Sequence, residues 1–118
     1  MVPVLAPSAP APQGSVDTLA RFGQALADPL RCRILLALRQ APAYPAELAE
    51  QLGVSRTRLS NHLTCLRGCG LVTATPQGRR SRYQLADPRL AHALDDLLQV
   101  VAAVADGDAG RGCPELVP

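Results

Sequence analysis

A mainly α-helical domain with one small β-hairpin, in the order of a winged helix-turn-helix, is predicted by three features of this chain. Two short helical stretches, PAELAEQL and the run that opens at Ser55, are separated only by a turn containing Gly53. A hairpin signal, LVTAT and SRYQLA around PQGRR, follows directly. Only Phe22, Tyr44 and Tyr83 are aromatic, so the core must be built from Leu, Val and Ala, a composition that favours helices. A length of 118 residues fits one domain with a modest core.

In chain order, residues 1–15, MVPVLAPSAPAPQGS, are rich in Pro and Ala and carry no charged side chain, and are expected to form a disordered leader. Leu19, Phe22 and Leu26 have helical spacing and predict a first helix over Val16 to Ala27, with Ser15 or Asp17 as cap. Asp28-Pro29 interrupts and restarts the helix, because proline is tolerated only in a first turn. The second helix, Pro29 to Gln40, turns Ile34, Leu35 and Leu38 inward, with Cys32 as a small core residue. Pro45 opens a third helix that ends at Gly53. Ser55 caps a fourth, which stops at Gly68 or Gly70.

Within that fourth helix Leu59, Leu63 and Leu66 recur at i, i+4, i+7 and must face a core. Thr57, Ser60, Asn61 and Thr64 then fall opposite, and Arg58, His62, Cys65 and Cys69 run down one flank. Strands are expected over Leu71 to Thr75 and Ser81 to Ala86, forming a basic wing. After Asp87-Pro88, a last helix carries Leu90, Ala93, Leu94, Leu97, Leu98, Val101 and Val104 on one face. That face suits a homodimer seam, and the alternative is burial in the chain's own core. The folded domain is expected over 16–106, followed by a flexible tail, 107–118, with Cys113.

The net charge of +2 is modest but unevenly placed. No acidic residue lies between Glu50 and Asp87, where Arg56, Arg58, Arg67, Arg79, Arg80 and Arg82 are found. Arginine suits both phosphate and guanine, so this stretch points to DNA, the alternative being a solvated basic face. The N-terminus has no basic segment and no sustained apolar run, and nothing approaches a membrane span. A cytoplasmic location with reduced thiols is expected, and there a cysteine cluster more often binds metal or reacts than forms a disulfide. No nucleophile–base arrangement or phosphate-cradling glycine loop suggests an enzyme.

LADPLRCRILLAL, ELAEQLGVSRTRLSNHLTCLRGCGLV and GRRSRYQLAD resemble the ArsR-SmtB family of winged-helix metalloregulatory repressors over roughly residues 16 to 105. Cys65 and Cys69, with a further cysteine in the tail, resemble its cadmium- and lead-sensing branch. The resemblance implies a homodimer that leaves operator DNA when metal binds. It further implies that Cys113 of one protomer joins Cys65 and Cys69 of its partner. The thiol pair that arsenic sensors carry before the recognition helix is absent from AYPAELAEQL. The carboxylate and histidine set of zinc sensors is represented only by Asp87, His92, Asp95 and Asp96, without a second histidine.

Two cysteines four residues apart on a helix lie one above the other, and two metal–sulfur bonds can span the gap. Soft thiolates favour cadmium or lead, with zinc as a competitor. His62, one turn before Cys65, is a possible fourth ligand, although contact with the core or a phosphate is the simpler role. The expected metal ligands are therefore Cys65, Cys69 and Cys113. The expected DNA contacts are Ser55, Arg56, Thr57, Ser60 and Asn61 on the helix and Arg79, Arg80 and Arg82 on the wing. Two rival functions are compatible with the same residues: a thiol redox-responsive repressor, and a winged-helix module that binds protein.

Overall fold

The computed structural model describes residues 13–108. Its elements are α1 (Gln13–Leu26), α2 (Pro29–Gln40), α3 (Pro45–Leu52), α4 (Arg56–Gly68), β1 (Val72–Gln77), β2 (Arg80–Leu85) and α5 (Pro88–Asp108). Residues 1–12 of the expected leader, and Cys113 with most of the expected tail, lie outside the described residues.

Helix α2 sits at the centre, touching α1, α3, α4, α5 and β2. Its start follows from the sequence: Asp28 caps it by accepting from the Leu30 and Arg31 N–H groups at 2.8 and 3.1 Å, and Pro29 occupies the first turn. Those N–H groups, that of Arg31 foremost, hold the Asp28 carboxyl below its ordinary range, aided by the nearby charges of His62 and Arg31. Leu30, Ile34, Leu35 and Leu38 of α2 pack with Leu48 and Ala49 of α3, Leu59, Leu63 and Leu66 of α4, Val72 of β1, Ala25 of α1 and Leu94 of α5. Aliphatic burial of this kind supplies most of the drive to fold, at about 25 cal/mol per Å².

The turn between α3 and α4 is set by Gly53, which adopts φ +70°. This left-handed residue lets the Val54 N–H reach the Ala49 carbonyl at 3.0 Å, closing the helix end. Arg33 adds a guanidinium hydrogen bond to the Leu52 carbonyl at 2.9 Å. A Cβ at Gly53 would meet nothing within 4 Å, so Gly53→Ala isolates the backbone cost. Urea unfolding of that variant is expected to show a loss of about 1–2 kcal/mol, the strain of a left-handed alanine.

The hairpin differs from the sequence expectation. The strands run Val72–Gln77 and Arg80–Leu85, antiparallel, with Gln77 opposite Arg80 and only Gly78-Arg79 in the turn. Gly78 at φ +64° allows so tight a connection, and the strands therefore extend into what looked like a loop. Pro76 opposes Ser81. Counted back from the two-residue turn, that pair needs no ladder bond, so the missing N–H of proline costs nothing there. The same alternation turns the Tyr83 N–H and carbonyl away from β1, and Ala43 takes both, at 2.8 and 2.9 Å. This bridge fastens the wing to the loop before α3.

Two boundaries also shift. Helix α1 begins at Gln13, three residues ahead of Val16, and α5 continues through Asp108 into the stretch expected to be tail. Asp87 accepts from the Arg89 N–H at 2.8 Å at the start of α5, and the Arg89 guanidinium and N–H lower its carboxyl to about 2. Of the apolar face expected on α5, Leu94 is buried and Leu90 partly buried, whereas Leu97, Leu98, Val101 and Val104 are 41–63% exposed. The chain's own core therefore covers only the first part of this face. Among the described residues no helix is long and apolar enough to cross a membrane.

Candidate DNA-reading helix and thiol site

Helix α4 is fixed along one side and open along the other. Ser55 caps it, its hydroxyl accepting from the Arg58 N–H at 3.0 Å. Leu59, Leu63 and Leu66 are at most 1% exposed and pin the helix to α2 and α3. That leaves Arg56, Thr57, Ser60 and Asn61 exposed on the outward side. Among the predicted contacts, Ser55 is also exposed, but its hydroxyl is already engaged as the cap.

The wing brings its arginines to the same part of the molecule. Arg80 lies over the Tyr44 ring, its guanidinium carbon 3.6 Å from the centroid. A shallow polar groove is lined by Tyr44, Arg56, Arg79 and Arg80 together with Ser81 and Tyr83. Arg56 from α4 thus meets Arg79 and Arg80 from the wing at one surface. Arg82, paired with Thr75, is exposed two pairs further along the ladder from Arg80. Stacking on an aromatic face orients an arginine without consuming its N–H donors. Tyr44 was not among the residues singled out from sequence, because an aromatic in a loop carries no periodic signal.

At the other end of α4, Cys65 is exposed and Cys69 half-buried. The helix proper ends at Gly68, so Cys69 is its C-cap, at φ −83° and ψ −4°. Its N–H still donates to the Cys65 carbonyl at 3.0 Å, which keeps the two residues one helical turn apart. Gly70, at φ +80°, and the Leu71 N–H bond to the Leu66 carbonyl, 3.0 Å, then lead the chain into β1. A guanidinium N–H of Arg31 in α2 donates to Cys65 Sγ at 2.9 Å.

Among the described residues no group of three or more His, Cys, Asp or Glu is placed to hold a metal ion. His62 is half-buried and does not complete such a set with the two cysteines. Cys32 is directed elsewhere: its Sγ–H donates to the Leu26 carbonyl at 3.1 Å, and burial pushes its thiol up, with Asp28 adding to the effect. Asp95 on α5 is held by Arg39 at 2.6 Å, and Asp87, just before α5, by Arg89 at 2.7 Å. Cys65 and Cys69 are thus left as two free thiols one helical turn apart. Thiolates in that arrangement suit a soft divalent ion.

Residues 28–74 match the bacterial regulatory protein arsR family. Over 88 residues, 75% of each chain, the protein is 63% identical to the HTH-type transcriptional regulator CmtR of Mycobacterium tuberculosis. The NMR structure of the cadmium metal-sensor CmtR from that organism superposes with a TM-score of 0.64 at 58% identity, covering 80% of this chain and 95% of the other. A homodimeric winged helix-turn-helix DNA-binding domain from Mycobacterium bovis gives a TM-score of 0.71 at 32% identity, covering 85% and 92%. These relatives are regulators of transcription and not enzymes. With helix-turn-helix, wing and thiol-bearing recognition helix all in place, this chain belongs to the ArsR family of bacterial transcriptional regulators.

Proposed function

We propose that this protein is a cytoplasmic, homodimeric repressor that holds operator DNA and releases it when a soft metal ion, cadmium or lead, binds cysteine thiolates on its recognition helix, with zinc as a competitor. The observation that carries the reading is the placement of both ligand sets on one rigid element. Arg56, Thr57, Ser60 and Asn61 lie exposed on α4, whose last turn presents Cys65 and the capping Cys69. Cys113 supplies the third sulfur, from the partner protomer.

Dimerisation uses the apolar residues that the single chain leaves exposed, Val16 and Leu19 on α1 and Leu97, Leu98, Val100, Val101 and Val104 on α5. A two-fold pair of α4 helices would then enter successive major grooves, with Arg79, Arg80 and Arg82 on flanking phosphates and Ser55 at the helix entry. Metal captured on α4 by a tail from the neighbouring protomer favours a dimer geometry in which the two helices no longer match that spacing. By linkage, metal weakens DNA binding by the same factor by which DNA weakens metal binding.

The test is a cadmium titration of the protein bound to a labelled operator duplex, following near-ultraviolet thiolate-to-metal absorption and DNA anisotropy together. Release is expected to track the absorption, with DNA affinity falling about 5- to 150-fold. Equal affinity of metal-free and metal-loaded protein for the duplex would refute the reading.

A further inference from the structure

The contact between Arg31 and Cys65 joins residues 34 positions apart, and the expected metal ligands do not account for it. Arg31 is well anchored. Its backbone N–H is bound by the Asp28 carboxylate in the α2 cap, and a second guanidinium nitrogen reaches the Gln24 carbonyl of α1 at 3.5 Å. Its Nε is buried without a hydrogen-bond partner. Neither the Arg39–Asp95 nor the Arg89–Asp87 ion pair involves it. The shortest contact its guanidinium makes is to Cys65 Sγ, at 2.9 Å, a short distance for a sulfur acceptor.

A sulfur that binds a metal keeps lone pairs able to accept an N–H, so the guanidinium need not leave when the ion arrives. Charge favours its staying. A divalent ion on three thiolates carries one excess negative charge, and a fixed arginine beside one sulfur neutralises it at short range. The geometry points to Arg31 as a positioning residue of the thiol site: it fixes the Cys65 side chain by a guanidinium hydrogen bond and supplies the positive charge that the metal-bound thiolates leave uncompensated. Through the same side chain, the occupied site on α4 is tied directly to α1 and α2.

This inference rests on the thiol site proposed above, and its test separates the two. Cadmium chloride is titrated into the full chain in competition with a chelator, comparing wild type, Arg31→Ala, Arg31→Lys and Cys65→Ser. Far-ultraviolet circular dichroism confirms that each variant is folded. Arg31→Ala is expected to bind cadmium about 10- to 100-fold more weakly, the usual cost of removing a hydrogen bond that supports a metal ligand. Its thiolate-to-cadmium absorption should move to longer wavelength, because a sulfur without its donor gives up electron density more easily. Arg31→Lys keeps the charge but not the planar fork, and should recover part of both effects. A merely structural role for Arg31 would not move the absorption band. If Arg31→Ala keeps wild-type affinity and band while Cys65→Ser loses cadmium, the Arg31 role is wrong and the thiol site stands. If Cys65→Ser also binds like wild type, both are wrong.

Discussion

Cys65→Ser is expected to abolish the metal response while leaving DNA binding intact. The substituted side chain is exposed, and a serine hydroxyl preserves an acceptor for Arg31, so neither the core nor the cap of α4 is disturbed. A neutral hydroxyl is a poor ligand for a soft ion. Removing a ligand atom itself should cost more than the about 10- to 100-fold typical of a lost supporting contact. Operator affinity measured by anisotropy should equal that of wild type without metal, and adding cadmium should leave it unchanged. A Cys65→Ser protein that still releases DNA at the wild-type cadmium concentration would place the sensing site elsewhere in the chain.

The largest loss of stability is expected from Leu59→Ala. Leu59 is fully buried and belongs to the stripe that fastens α4 to the α2–α3 layer. Truncating such a leucine typically costs about 2–5 kcal/mol, the sum of lost transfer energy and the cavity left behind. Against a total of about 5–15 kcal/mol for a domain of ordinary stability, that is a substantial fraction. Urea unfolding at fixed protein concentration should show a lower midpoint with an unchanged slope. DNA binding should weaken as well, because the outward residues of α4 are positioned only by the inward ones. A loss below about 1 kcal/mol would mean that the packing of α4 is looser than its burial implies.

The course of the backbone was largely legible in the residues. Asp28-Pro29, Gly53 and Ser55 each impose a start or stop through their own side chain or backbone freedom, and α2, α3 and α4 fall within the limits they mark. The leucine stripe of α4 identified its buried side because only a helix brings those three residues together. The wing is legible in the sequence, but its strands are longer than composition suggests. PQGRR looks like a loop by composition, and only the pairing of Pro76 with Ser81 shows that proline sits where no ladder bond is required. Of the expected site residues, Arg56, Arg79 and Arg80 meet at one groove, and Cys65 and Cys69 remain one turn apart. Cys113 lies outside the described residues.

The amino-acid sequence by itself determined the order of elements, the caps, the inward face of α4 and the stacking of its two cysteines. All of these are interactions within a turn or two of chain, where the helical repeat fixes which side chains meet. Tertiary structure alone decided that Arg31 reaches Cys65, that Tyr44 supports Arg80, that Ala43 pairs with Tyr83 and that most of the α5 face stays open. Those contacts join residues far apart in the chain, and whether they meet depends on how α2 and the wing pack, which no local spacing records. The proposed switch combines both kinds of information: the clamp is written into one helix, and the charge beside it comes from another.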